Sequence, residues 1–303
     1  MTRYYPMLYN PRRANSDNCK SIDSFVASVI EILNGQVYQS GCLLDEYVQD
    51  VGWGKMLRTR FLASMIDPGA VSERILKLSA AIELIHSSSL LHDDVVDQSS
   101  VRRGKLTLWK QTSVSKAVLA GDLLLSKALK LVVQNSDLIE HFLDAIETMA
   151  SSESEQMYNN SDVLIINQYM NHIGKKTGKL FALCMRCVPT DCLITSDLLS
   201  DIGSNLGIVY QIVDDLLDEF GDVQITGKNQ FVDRVNNSIT ITHCQNSLIE
   251  GQNLIKQILD KSFSKLKHLT NYHDGLQYYI TNYFLPTIKS TGLKLEETIF
   301  NSI

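Results

Sequence analysis

The stretch VSERILKLSAAIELIHSSSLLHDDVVD, residues 71–97, decides the fold. Val71, Ile75, Leu78, Ile82, Ile85 and Ser89 follow one another at alternating spacings of four and three, the period of an α-helix seated on a core. Neither proline nor glycine interrupts it. At about 100° per residue, Asp93 falls in line with Ile75, and Asp97 lies about 40° further round. The stripe Ile75, Ile82, His86, Ser89, Asp93 therefore begins apolar and ends in a carboxylate. Asp93 and Asp97, at i and i+4, aim their oxygens at one point. Like charges at that spacing destabilise a helix unless something neutralises them.

The device occurs twice. Residues 206–222 read LGIVYQIVDDLLDEFGD, in which Asp214, Asp215 and Asp218 again close an apolar helix. Gln211 and Gly207 lie one and two turns earlier on the same side. A loop with Gly221, Gly227 and Lys228 follows. One such cluster alone reads equally well as a solvated helix end. Two, each between an apolar helix and a polar loop, read as a site. Grouped carboxylates without a soft ligand suit Mg²⁺, which keeps several waters and is shared with substrate phosphates. The partner this chemistry asks for is a diphosphate.

The chain around these helices is built to match. Of 303 residues, 44% are hydrophobic and 20% charged, which excludes wholesale disorder. The prolines are Pro6, Pro11, Pro68, Pro189 and Pro286, so 69–188 and 190–285 lack this helix-breaker. Helix-period segments cover roughly 18–34, 55–66, 113–133, 136–150, 162–187, 195–220, 238–266 and 276–299, while strand alternation is nearly absent. The expected fold is all-α: one domain over 1–303, a helical bundle around a central cavity, with 1–17 a flexible N-terminal segment. A net charge of −6 argues against a nucleic-acid partner. No secretory signal and no transmembrane run is found, so the expected location is cytoplasmic, with an organelle as the alternative. Cys184 and Cys187 form a C-x-x-C pair inside FALCMRCV and read as buried helix cysteines rather than a zinc site.

The cations a diphosphate needs are present in three places. Gly54-Lys55-Met56-Leu57-Arg58 opens a helix with Lys55 and Arg58 three residues apart, read as one face. Val101-Arg102-Arg103-Gly104-Lys105 follows the first cluster. Gly174-Lys175-Lys176-Thr177-Gly178 interrupts an apolar helix with a cationic, hydroxyl-bearing turn. Arg offers planar two-point contacts to phosphate, Lys a point charge. Taken alone, each group is a solvated surface feature and His86 a core histidine. Together with both clusters they read as a substrate site.

With these residues in place the sequence resembles the trans-isoprenyl diphosphate synthases, the polyprenyl synthetase family, from about residue 50 to 245. The anchors are GKMLR (54–58), ELIHSSSLLHDDVVDQSSVRRGK (83–105), LAGDLLLSKAL (119–129), GKKTGKLF (174–181) and LGIVYQIVDDLLDEFGD (206–222). The resemblance implies an isoprenoid-synthase-type bundle, usually a homodimer, with the two motifs facing each other across a cavity. It implies head-to-tail condensation of isopentenyl diphosphate with an allylic diphosphate. It also implies that Asp93 and Asp97 hold two Mg²⁺ on the allylic diphosphate, and that Asp214 helps hold a third with Asp218 in support. Arg102, Lys176, Thr177, Gln211 and Lys228 match the family's allylic-diphosphate contacts; Lys55, Arg58, His86 and Arg103 match its isopentenyl-diphosphate site.

The sequence departs from the family pattern at several points. Trp53 replaces a glycine and Thr59 a proline. Asn229 and Phe231 replace proline and glycine in GKNQFVD, and Asn237 and Ser238 replace a later Gly-Lys, which leaves no phosphate-side lysine at 238. The family's E-G-E with a later Gln becomes Glu153-Ser154-Glu155 with Tyr158. In the family, residues four and five before the first aspartate limit product length. Here Ser89 and Ser88 are small, which implies a long-chain product, such as a quinone side-chain precursor delivered to a membrane. Ser89 lies on the cavity face, whereas Ser88 lies about 140° from Asp93. Alternatives are a short-chain farnesyl or geranylgeranyl synthase, a class I terpene cyclase, and a non-catalytic subunit of a heteromer.

Overall fold

The computed structural model describes residues 16–38, 53–102, 104–158, 166–190, 192–220, 239–243, 246–291, 293 and 295. Its helices are α1 (Ser16–Tyr38), α2 (Leu57–Ser64), α3 (Glu73–Val96), α4 (Leu108–Gln111), α5 (Val114–Val132), α6 (Ser136–Tyr158), α7 (Ile166–Ile173), α8 (Lys179–Arg186), α9 (Leu193–Phe220), α10 (Ser247–Leu266), α11 (Thr270–Tyr279) and α12 (Leu285–Lys289). A two-residue antiparallel hairpin, β1 (Val101–Arg102) with β2 (Lys105–Leu106), is the only sheet among the described residues. The expected all-α class holds. The proposed flexible segment 1–17, Arg103 and Lys228 lie outside the described residues, apart from the backbone of 16 and 17. So do the departures at 229, 231, 237 and 238, and the side chain of Tyr158.

Helix α3 starts where Ser72 caps it, its hydroxyl accepting from the Ile75 amide, with Glu73 in the first turn where the helix dipole favours an anion. Its middle is buried almost all round, with Leu78, Ala80, Ala81, Ile82 and Leu84 at or near zero exposure. It packs most extensively on α5, while α9 packs on α8 and α10. Glycines let α9 come close. A Cβ on Gly203 would lie 2.4 Å from the Phe181 carbonyl oxygen, and one on Gly207 would lie 2.7 Å from Gly178 Cα. Burial of Leu199, Ile202, Leu206, Val209 and Ile212 then holds α9 along its length, each large side chain contributing about 1.5–3 kcal/mol.

Two helices carry a π-turn, at Gly174–Gly178 and at Ile280–Phe284. The first is the GKKTG interruption. One extra residue per turn widens the helix there and re-aims its side chains, a feature that recurs at functional sites. Beneath both π-turns lies an aromatic cluster: Phe61 stacks near Tyr279 (4.9 Å), Phe181 on Tyr210 (5.1 Å), and Tyr210 meets Phe284 edge-on (4.6 Å). Tyr279 donates to the Leu57 carbonyl at 3.0 Å, so Tyr210 donates to Tyr279 at 2.8 Å. Cys184 and Cys187 are buried free thiols on and just beyond α8, as expected.

The sequence reading is corrected at residues 55–58. Lys55 and Arg58 do not share a helix face. The chain turns through left-handed backbone at Gly54 (φ 69) and Met56 (φ 51), and α2 begins only at Leu57. Lys55 is exposed and lines a cleft of about 340 Å³ with Leu57, Arg60, Tyr283, Pro286 and Ser290. Arg58 turns inward instead, its guanidinium 4.8 Å from the Phe181 ring centroid and its Nε buried without a hydrogen-bond partner among the described residues.

Candidate active site

Both aspartate clusters sit at helix C-termini, where the dipole is negative, and neither α3 nor α9 has a basic residue in its last turn. Three carboxylates at such an end are unfavourable on two counts, their mutual repulsion and the dipole. The fold offsets part of this, differently for each aspartate.

In the first cluster the middle residue is spent internally. Asp94 is 4% exposed and accepts from Arg102 Nε at 2.8 Å, across the bend that leads into β1. Asp93 and Asp97 are half-buried and turn towards the π-turn. Burial pushes the Asp93 carboxyl up to about 7; Lys176 opposes the shift, and Glu153 and Asp97 add to it. Burial also raises Asp97, again opposed by Lys176. Lys176 answers that field. Its own burial would lower its pKa, but Glu153, Asp93 and Asp97 outweigh this and hold it up at about 12.

In the second cluster the middle residue is again internal. Asp215 is 3% exposed and accepts from Tyr169 Oη (2.8 Å), Gln211 Nε2 (2.8 Å) and the Ile241 amide (3.3 Å). Asp214 is exposed at the surface of α9, and Asp218 is buried. Gln211 has its other end occupied as well: Thr177 Oγ1 donates to Gln211 Oε1 at 2.5 Å.

The π-turn thus joins the clusters. Lys176 faces Asp93 and Asp97 at the end of α3, and the next residue, Thr177, is bonded to Gln211, one turn before Asp214 on α9. Helix α6 grips the same turn from the other side. Lys176 Nζ pairs with Glu153 at 2.9 Å, Lys175 Nζ with both oxygens of Glu155 at 2.9 Å, and Ser152 Oγ lies 3.0 Å from His172 Nδ1. Burial and the nearby Lys176 lower the His172 pKa to about 4. Glu153 and Tyr169 are the contacts that sequence reasoning did not assign. The Glu153-Ser154-Glu155 pattern was visible, but its lysine partners lie on another helix.

The remaining expected residues divide. His86 is half-buried on α3, one turn before Ser89. Ser89 Oγ donates back to the His86 carbonyl at 2.9 Å, and Ser88, 3% exposed, donates to the Gly121 carbonyl of α5 at 2.8 Å. Ser88 therefore faces α5. A Cβ on Gly121 would fall 2.2 Å from His92 Nε2, so α3 and α5 are in direct contact here. Two departures from the family pattern also have partners. Thr59 donates its amide (3.1 Å) and hydroxyl (2.7 Å) to the buried Glu83, a pairing that a proline amide cannot make. Trp53 Nε1 donates to Asn34 Oδ1 of α1 at 2.9 Å.

The donor set fits a hard divalent cation. Asp93, Asp97, Asp214 and Asp218 offer only oxygens, and burial raises the Asp93 pKa although Lys176 and Arg102 oppose it. Among the described residues no three carboxylate, histidine or cysteine side chains converge to hold a metal alone.

The fold defines the class: a helical isoprenoid-synthase bundle, here with an acidic cluster at the end of α3 and another at the end of α9. The structure resembles a polyprenyl synthase from Caulobacter crescentus solved with calcium and isoprenyl diphosphate (TM-score 0.77, 23% identity, 86% of this chain and 94% of that one). It also resembles heptaprenyl diphosphate synthase from Staphylococcus aureus (TM-score 0.71, 22% identity, 91% and 99%). In sequence, residues 43–274 match the family described as Polyprenyl synthetase. Octaprenyl diphosphate synthase of Escherichia coli is 32% identical over 227 residues, covering 73% of this chain and 70% of that protein. Geranylgeranyl diphosphate synthase of Sulfolobus acidocaldarius is 32% identical over 252 residues, covering 76% and 75%. The chain belongs to the polyprenyl synthetase family and is a prenyltransferase of the trans-polyprenyl diphosphate synthase type.

Proposed function

We propose that this protein condenses isopentenyl diphosphate head-to-tail with an allylic diphosphate to give a long-chain polyprenyl diphosphate, using Mg²⁺ held by Asp93, Asp97, Asp214 and Asp218. The observation that carries the reading is the π-turn at 174–178, which faces the first cluster through Lys176 and is bonded beside the second through Thr177 and Gln211. Three ions shared with the allylic diphosphate are the number the family resemblance implies.

Bound there, Mg²⁺ supplies Lewis-acid stabilisation of the departing diphosphate. The chain's own residues do the rest. Lys176 and Arg102, with Lys228, place cations around the diphosphate oxygens, so that charge developing on the leaving group meets preorganised partners. Gln211 offers the diphosphate the second proton of its Nε2 amide, and Thr177 fixes that amide by donating to Oε1. Lys55, Arg58, His86 and Arg103 receive isopentenyl diphosphate. Arg58 is a buried cation whose Nε lacks a hydrogen-bond partner among the described residues, and isopentenyl diphosphate would engage its guanidinium. The allylic C–O bond breaks, and its electron pair leaves with diphosphate. The isopentenyl double bond attacks the cation, and the proton lost from the adduct passes to the released diphosphate. Burial of the α3 face excludes water from the cation. No protein nucleophile is needed.

Long-chain synthesis is supported by the small side chain of Ser89, half-buried one turn before Asp93 on α3, and by the octaprenyl relative. A second copy of the chain is the proposed partner, with a heteromer as the alternative. On α5 the outward residues Val114, Val118 and Leu119 are exposed, an apolar face that a partner subunit would cover. No helix among the described residues is long and apolar enough to cross a membrane. We place the enzyme in the cytoplasm, passing its product to a membrane. The test supplies purified single chain with Mg²⁺, isopentenyl diphosphate and allylic primers of increasing length, and reads product length. The reading expects metal-dependent long-chain product, shortened in Ser89→Phe. No turnover from the single chain would favour a non-catalytic subunit, and a cyclised hydrocarbon a terpene cyclase.

A further inference from the structure

Lys176 faces the Asp93–Asp97 pair and yet makes its ion pair with a residue outside the cluster, whereas Arg102, which also acts on both aspartates, pairs with Asp94 inside it. Its Nζ lies 2.9 Å from Glu153 Oε1, on α6, and neither Asp93 nor Asp97 is within ion-pairing distance of it. Both partners are partly open, at 29% and 25% side-chain exposure, so the pair borders space that a ligand can enter. Glu153 also stands close enough to the first cluster to add to the negative field on Asp93 and Asp97. The ammonium is therefore contested by three carboxylates, and the geometry gives it to the one that is not a proposed metal ligand.

We propose that Glu153 is a positioning residue that holds the Lys176 ammonium off Asp93 and Asp97, which keeps those carboxylates open for Mg²⁺ until a diphosphate arrives to take the lysine. The inference rests on the diphosphate-site reading above. Without Glu153 the nearest anions to Lys176 are the two aspartates themselves. The lysine then neutralises the oxygens the metal needs, and Mg²⁺ must compete with a tethered cation. Glu153 thus acts chiefly through Lys176, beside its smaller direct field on Asp93 and Asp97. Its neighbour Glu155 provides an internal comparison: it lies on the same helix and grips the same π-turn, but its partner is Lys175. A merely structural tie between α6 and the turn would be weakened equally by the loss of either glutamate.

The test measures, by titration calorimetry, the Mg²⁺ concentration needed for half-saturation with inorganic diphosphate, a readout independent of turnover. Glu153→Gln is expected to raise that concentration about tenfold, the scale of an ordinary coupling between sites. Glu153→Asp should recover part of the loss, and Glu155→Gln should leave it near wild type. In a Lys176→Met background, Glu153→Gln should have a far smaller effect, because no lysine remains to be held and only the direct field of Glu153 is lost. An equal rise in that background, an equal effect of Glu155→Gln, or no effect of Glu153→Gln would each overturn the proposal. Failure of the wild type to bind diphosphate with Mg²⁺ overturns the diphosphate reading, and this inference with it. Wild-type binding with an unchanged Glu153→Gln overturns this inference alone.

Discussion

The two aspartate clusters carry the same motif and are solved differently by the fold. At the end of α3, Asp94 is held by one arginine, and Asp93 is left in a buried setting that favours its protonated form. At the end of α9, Asp215 is held by three donors and Asp214 stands exposed. The middle aspartate is structural in both. An identical sequence pattern thus yields one cluster whose first aspartate is shifted by burial and one whose middle aspartate is anchored by three donors.

The largest expected effect separates neighbours within the second cluster. Asp215→Ala strips the acceptor from Tyr169, Gln211 and the Ile241 amide, and should cost about 2–4 kcal/mol in a denaturant melt. Asp214→Ala should leave the melt unchanged while abolishing most turnover. Equal melts for the two variants would break the division into structural and functional aspartates.

The next effect concerns pH and distinguishes the clusters. The folded pKa of Asp93, about 7, lies above its ordinary value of 3.8. The stability it contributes is present below pH 4 and lost as pH rises through 7. His172 runs the other way: lowered from 6.5 to about 4, it contributes stability above pH 6.5 that is lost as pH falls through 4. The two slopes oppose each other in the metal-free wild type. Asp93→Asn should therefore be more stable than wild type at pH 7 by about 1–3 kcal/mol, with the gap closing towards pH 4. A metal-free melt of Asp93→Asn below that of wild type at pH 7 would remove the claim that burial of the ionised Asp93 costs stability.

Much of this was legible in the sequence, for physical reasons. The 3.6-residue period of 71–97 is imposed by burial, so α3 and its carboxylate end could be read directly. GKKTG interrupts an apolar run and emerged as a π-turn for the same reason. The helical period supports α6 only over 136–150, whereas the helix continues to Tyr158 through a polar segment that carries no apolar period. Lys55 and Arg58 were misplaced because a non-glycine residue at positive φ, here Met56, leaves no mark in the sequence. Glu153 and Tyr169 went unassigned because their partners come from other helices. The motif could not say which aspartate of each pair is internal, since that depends on Arg102 and Tyr169.

Smaller effects test the joint between the clusters and the floor of the cavity. Gly207→Ala sets a Cβ 2.7 Å from Gly178 Cα and should cost about 1–3 kcal/mol in stability while raising the Mg²⁺ requirement, as α9 moves off the π-turn. Ser88→Ala removes one hydrogen bond to the Gly121 carbonyl and should cost about 1 kcal/mol, read as a small drop in Tm. Product length should not change, because Ser88 faces α5.

The central claim is that both clusters serve one diphosphate at one transition state. Mg²⁺-dependent turnover of Asp93→Ala, Asp214→Ala and the double variant tests it directly. Each single substitution should lower kcat by about 10²–10³-fold, the scale of a lost preorganised charge contact, and the double should fall little further because the groups act as a unit. Losses that multiply in the double variant, or either single variant at wild-type rate, would contradict it.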